Sequence, residues 1–261
     1  MLSTLKFSVK HWLNQVGVDV RRADHIPFGF DYCADIKYCL DGQKVETIFD
    51  VGANVGQTSL YLLKHFPDAS IFAFEPVPNT YKKLEANLSH ISQVQLSNMA
   101  LGNSIGELPM TNIENSLLNT CRLESQLESE KESQIVRVNI NTIDNFCQEN
   151  RISHIHLLKT DTEGFDLNVL KGAENLLRNQ KIDFIFSECR FFQRRETDLP
   201  GDFVDLLNYL QGLNYNFVTL YTEAVDDLGF VFGNVLFRST INKKAQRFSF
   251  SPLGSPINWY R

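Results

Sequence analysis

Short apolar runs alternate with longer stretches of helical periodicity along most of this 261-residue chain. Thr47-Ile48-Phe49 and Ile71-Phe72-Ala73-Phe74 are apolar without alternation, as strands covered on both faces are. Val94–Ser97, Ile155–Lys159 and Asp183–Ser187 read as further short strands. Helices are predicted from Gln57 to about His65, Pro78 to about Leu88, Thr142 to Glu149, Asp166 to Arg178 and Asp202 to Leu210. That order is the grammar of an α/β protein built on a parallel sheet. Two closing strands, near Phe217–Thr222 and Asn234–Phe237, have no helix between them, and the intervening Asp226, Asp227 and Gly229 suit a hairpin. The expectation is a seven-stranded sheet, six strands parallel and the last antiparallel.

Upstream of the alternation, Leu2, Leu5, Val9, Trp12, Leu13 and Val16 share one helical face, and a second helix is expected from about Asp31 to Leu40. Within the alternation, residues 103–133 interrupt the pattern, are rich in Asn, Ser and Glu, and lead into the strand-like Ile135-Val136-Arg137-Val138. A loop this long in a compact domain reads as a lid or substrate loop. The predicted organisation is a helical extension over 1–44, a catalytic domain over 45–240 carrying that insertion, and a C-terminal tail over 241–261.

The candidate chemistry begins at Asp50-Val51-Gly52-Ala53-Asn54-Val55-Gly56-Gln57-Thr58-Ser59, a glycine-containing turn from a buried strand into a helix. Such a turn holds a nucleoside cofactor at the carboxyl end of the strand. In a dinucleotide site the position of Asn54 is a glycine that clears room for pyrophosphate, so NAD is the disfavoured rival. Asp50 adds a carboxylate that would repel phosphate. S-adenosylmethionine, with an adenosine, a sulfonium and an ammonium but no phosphate, fits both features. The second strand then ends in Glu75-Pro76, where an acid can accept hydrogen bonds from ribose hydroxyls.

Composition narrows the partners. With 43% hydrophobic residues the chain can bury a full core. A net charge of −6 without a strongly basic tract argues against a nucleic-acid substrate. The five cysteines are scattered, with no CxxC pair, and read as reduced thiols of a cytoplasmic protein. No apolar run is long enough to span a bilayer. The N-terminal amphipathic face suits docking on the domain, or on a second subunit in a homodimer, better than stable membrane insertion.

Three segments, DVGANVGQTS at 50–59, FEPVPNTYKKLEANL at 74–88 and LLKTDTEGFDLNVLKGAENLL at 157–177, resemble the FkbM family of S-adenosylmethionine-dependent methyltransferases. The resemblance implies the class I methyltransferase (Rossmann-like) fold, a three-layer sandwich. It also implies O-methylation of sugars, polyketides or other natural products. By position it implies a cofactor site of Asp50, Gly52, Ala53, Asn54, Gly56, Thr58, Glu75, Pro76, Asn98, Met99, Ala100 and Asp161. Asp161 and Glu163 match the family's acidic pair and are the catalytic candidates. Asn115-Ser116-Leu117 resembles a weaker pattern, which makes Ser116 a substrate candidate.

The residues themselves place Asp161 and Glu163 at the carboxyl end of a strand, where ligands of parallel sheets lie. Methyl transfer needs the acceptor aligned behind the sulfonium carbon, and a hydroxyl must also lose a proton, for which a carboxylate serves. Glu163 and Asp166 also read as helix N-terminal acids that complement the dipole. His154 and His156 are alternative bases, although His156 reads better as packed. Glu188 and Arg190 close the fifth strand of the alternation and are further substrate candidates, and no metal is expected. Thr160-Asp161-Thr162-Glu163 lacks the Asn/Asp-Pro-Pro-aromatic run of enzymes that methylate base or amide nitrogens. A hydroxyl on a small molecule is therefore the preferred acceptor. Small-metabolite or peptide N-methylation, and a non-catalytic cofactor-binding scaffold, are the alternatives.

Overall fold

Seven strands form the central sheet of the computed structural model, which describes residues 12–13, 15–18, 28–40, 42–111, 135–190, 203–226 and 229–240. Its five parallel strands are β1 (Thr47–Val51), β2 (Ser70–Phe74), β3 (Val94–Ser97), β7 (Ile155–Thr160) and β8 (Ile182–Arg190). β9 (Tyr215–Asp226) and β10 (Gly229–Ser239) complete the order β3-β2-β1-β7-β8-β10-β9. β10 runs antiparallel to both of its neighbours, so β9 points the same way as the other five. Six strands in one direction and one reversed is the sheet the hydrophobic pattern predicts.

Helices cover both faces. α1 (Tyr32–Leu40), α2 (Gln57–His65) and α3 (Pro78–Leu88) bury Ile36, Leu62 and Leu84 against Ile48, Ile71 and Leu157. α4 (Ile143–Glu149), α5 (Asp166–Lys171), α6 (Glu174–Arg178) and α7 (Phe203–Gln211) bury Phe146, Leu170, Leu177 and Leu210 against Phe49, Phe74 and Leu158. Neighbouring residues of β1, Ile48 and Phe49, thus enter opposite layers, as strand alternation requires. α1 is part of this body: Asp31 Oδ1 accepts from the Cys33 and Ala34 amides at its start, and the Tyr221 hydroxyl donates to Asp35.

Two features depart from the expected pattern. The helix predicted from Asp166 to Arg178 is two helices, because it breaks at Gly172-Ala173. A Cβ on Gly172 would lie 1.9 Å from the Gly102 carbonyl oxygen, so close backbone packing sets the break. The start of the stretch read as an insertion is also structured. β4 (Ala100–Leu101), β5 (Gly106–Thr111) and β6 (Ile135–Asn141) form a small second sheet in the order β4-β6-β5. Residues 112–134 lie outside the described residues, as do 241–261 and most of the N-terminal amphipathic segment. No helix among the described residues is long and apolar enough to cross a membrane.

Candidate active site

The turn after β1 is fastened to β2. The Gly52 and Ala53 amides donate to the Phe74 carbonyl at 3.0 and 2.9 Å, and the Asn54 amide donates to Glu75 Oε2 at 3.1 Å. Glu75 Oε1 accepts from the Val77 amide at 3.0 Å. Glu75 is 6% exposed, and burial lifts its carboxyl to about 7 although both amides and the Lys159 ammonium pull it down. Gly52 has φ +76°, and a Cβ there would meet the Asp161 carbonyl oxygen at 1.9 Å. The glycine therefore lets two strand ends, those of β1 and β7, close on each other.

Asp50 faces away from solvent entirely. Its Oδ2 accepts from the Ser59 hydroxyl at 2.7 Å, and its Oδ1 lies 3.1 Å from Lys159 Nζ. The two residues are direct partners in the β1–β7 register. Lys159 Nζ also donates to the Gly52 carbonyl at 3.2 Å and lies 3.5 Å from Asp161 Oδ2. Burial works against the lysine's charge, but Asp50, Asp161 and Asp166 outweigh it and hold the ammonium above its ordinary value. Asp50, expected to add a carboxylate near the ligand, is thus fully buried and ion-paired with a buried cation.

Between the β1 turn and the β7 turn opens a cavity of about 690 Å³, including space open to solvent. Gly52, Asn54, Glu75, Pro76, Met99 and Ala100 line one side, and Asp161, Thr162, Glu163 and Phe165 the other, with Met110 of β5 also on its wall. Glu163 and Gly164 take consecutive left-handed conformations, φ +54° and +92°, which turn the chain sharply from β7 toward α5. Burial raises the Glu163 carboxyl, with Asp161 adding to the effect, while Arg190 opposes it. Asp166, buried at the start of α5, is raised to about 6 by burial and by Asp161. Glu188 of β8 rises to about 9 through burial and the neighbouring Asp161, Asp166 and Glu163.

This sheet order, the β1 turn and the acid that ends β2 agree with a match to the family model of the methyltransferase FkbM domain, which covers residues 50–217. The chain belongs to the FkbM methyltransferase family. Its fold is therefore the class I methyltransferase fold, and its methyl donor is S-adenosylmethionine. Among curated relatives, Methyltransferase 1 of Beauveria bassiana is 29% identical over 168 residues, 58% of this chain and 66% of that protein. Methyltransferase sdnD of Sordaria araneosa is 29% identical over 185 residues, 59% of this chain and 70% of that protein. The 2-O-methyltransferase NoeI of Sinorhizobium fredii is 23% identical over 205 residues, 74% of this chain and 79% of that protein. The chain thus spans about two thirds of the first two relatives.

Within the FkbM domain the sequence candidates divide. Gly52, Asn54, Glu75, Pro76, Met99, Ala100, Asp161 and Glu163 come together around the cavity. Ala53 is buried beneath it, Gly56 is buried against Leu84 and Leu88, and Thr58 is half-buried on α2. Asn98 is exposed, and its amide donates to the Glu75 and Pro76 carbonyls, so its side chain braces the β2–α3 connection. Glu188 and Arg190 sit half-buried on β8 at its carboxyl end, and Ser116 lies outside the described residues.

His154 and His156 lie at the amino end of β7, the end opposite the cavity, roughly 16 Å (His156) and 23 Å (His154) from Asp161 at the usual rise per strand residue. There the His156 ring accepts from the Thr47 amide, and His154 pairs with Asp183 at 3.0 Å. Among the described residues, the side chains close enough to share a metal ion are Asp31, Cys33 and His65, and His154, His156 and Asp183. Both groups lie away from the cavity lining.

Lys159, Phe165 and Glu223 are not among the sequence candidates, and Asp166 reads from the sequence only as a helix N-terminal acid. Glu223 of β9, on the partly exposed face of that strand, is raised by partial burial and by Asp161 and accepts from the Asn234 amide. A lysine within the apolar run Leu157-Leu158-Lys159 was itself a signal, because a charge in a buried strand requires an opposite charge beside it.

Proposed function

We propose that this FkbM domain transfers a methyl group from S-adenosylmethionine to a hydroxyl oxygen of a small metabolite such as a sugar or polyketide. In this reading Glu75 accepts from the ribose hydroxyls, Met99 and Ala100 border the adenine, and Asp161 meets the ammonium of the methionine end. The sulfonium is already a good leaving group, so alignment of the acceptor behind the methyl carbon supplies much of the rate. Glu163 then takes the hydroxyl proton. The observation that carries this assignment is the cavity itself, with Glu75 on one side and Asp161 and Glu163 on the other.

Two further facts support it. Raised carboxyls at Glu163 and Glu188 suit a base that must capture a proton and a neighbour that can donate a hydrogen bond to an uncharged acceptor. NoeI, matched over 74% of this chain, is a 2-O-methyltransferase by name. The test is incubation with methyl-labelled S-adenosylmethionine and matched panels of hydroxylated and amine-bearing metabolites. Label in an ether is the expected product. Label on nitrogen alone would replace oxygen with nitrogen as the acceptor, and tight cofactor binding with no transfer to any compound would favour a non-catalytic scaffold.

A further inference from the structure

Lys159 makes contacts that no motif assigns to it. Its ammonium donates to the Gly52 carbonyl at 3.2 Å and forms ion pairs with Asp50 Oδ1 at 3.1 Å and Asp161 Oδ2 at 3.5 Å. The three come from the end of β1, the cofactor turn and the end of β7. Lys159 is 3% exposed and Asp50 0%, whereas the Asp161 side chain is 45% exposed and lines the cavity. Asp50 has a second anchor in the Ser59 hydroxyl, but no other cation approaches Asp161 this closely among the described residues. A half-exposed carboxylate has many rotamers available in water, and a buried ammonium beside it removes most of them.

We propose that Lys159 is a positioning residue that anchors one oxygen of Asp161 and so presents this carboxylate to the cationic methionine end of S-adenosylmethionine. The proposal rests on the reading above that Asp161 meets the cofactor ammonium. Asp50 is then the counter-ion that allows a lysine to be buried there, and its influence on the cofactor passes through Lys159.

The decisive comparison uses two ligands that need no acceptor. S-adenosylhomocysteine carries the amino-acid end, and 5′-methylthioadenosine keeps the nucleoside and sulfur but lacks that end. The Asp50→Asn/Lys159→Met double variant removes one buried anion and one buried cation together, so the net charge of the site is unchanged. By calorimetry it is expected to bind S-adenosylhomocysteine at least tenfold more weakly, with methylthioadenosine affinity within twofold of wild type. Equal loss for both ligands would mean a structural defect, and no loss for either would mean that Lys159 positions nothing. Either result overturns the proposal.

Asp161→Asn, measured beside it, is expected to show the same selective loss. Wild-type affinity for both ligands in Asp161→Asn would remove Asp161 from the ammonium, a failure of the underlying reading distinct from a failure of Lys159. Lys159→Arg keeps the charge but replaces a compact ammonium with a wider planar group, and it carries the same selectivity test should the double variant not fold.

Discussion

The two sides of the cavity treat their acids differently. On the cofactor side, Glu75 is gripped by two backbone amides from the turns that flank it, so its direction is fixed by main chain. On the acceptor side, Glu163, Asp166 and Glu188 crowd around Asp161, and like charge adds to burial in raising them. In the reading proposed above, the first side aims a fixed carboxylate at the cofactor ribose, and the second offers the acceptor carboxyls that burial and like charge have raised.

Substitution at the seam between the sides is the harshest test of that contrast. In Gly52→Ala the new Cβ must displace the Asp161 carbonyl and occupy a left-handed φ, at a cost of about 2–5 kcal/mol. Thermal melting is expected to fall on the order of 10 °C, and S-adenosylhomocysteine binding should be lost with it. Wild-type melting would show that the strand ends tolerate separation.

Glu163→Gln strikes the acceptor side alone. Methyl transfer is expected to fall about 100-fold, the lower range for loss of a general base, with S-adenosylhomocysteine affinity unchanged. Full turnover would strike Glu163 from the role of base. Glu75→Ala strikes the cofactor side alone, and calorimetry should show binding weakened by about 1–3 kcal/mol for S-adenosylhomocysteine and methylthioadenosine alike. A loss confined to one of the two ligands would move Glu75 off the ribose.

The smallest effect separates the sides by pH. Glu75 rises from its ordinary 4.5 to about 7 and Glu188 from 4.5 to about 9, so between these values the folded chain binds more protons than the unfolded one. Their contribution to stability is complete below about pH 4.5 and is lost as pH rises, through about 7 for Glu75 and about 9 for Glu188. Melting of the unliganded protein should therefore decline across that window. Glu188→Gln is expected to flatten the part above pH 7, and an unchanged slope there would deny Glu188 its proton.

The same division explains what could be read from the chain. β1, its turn and Glu75 were legible because the chemistry is contiguous: a strand, a turn and an acid that follow one another in the sequence. The acidic pair after β7 was legible for the same reason. Lys159 was hidden within an apolar run, and its partner Asp50 lies more than a hundred positions away and beside it only through the β1–β7 register. Glu223 likewise reaches the acid cluster through strand order. In the small sheet only β6 is legible, as the strand-like Ile135–Val138, because β4 is two residues long and β5 carries Pro109, which discourages a strand except at an edge, the place β5 occupies. The Asp166–Arg178 helix reads as continuous because the Gly102 carbonyl that packs on Gly172 is remote in the sequence.

Met99 and Met110 stand on the cavity wall, in place of rigid branched or aromatic side chains. Thioether chains are unbranched, polarisable and able to change rotamer at little cost. If the nucleobase rests against them, this wall is the one surface of the cofactor side that yields rather than fits. For an engineer it is the place to seek an orthogonal donor. A base-bulged S-adenosylmethionine could be accommodated by trimming Met99 or Met110, without touching the amides that hold Glu75 or the turn that closes on Asp161.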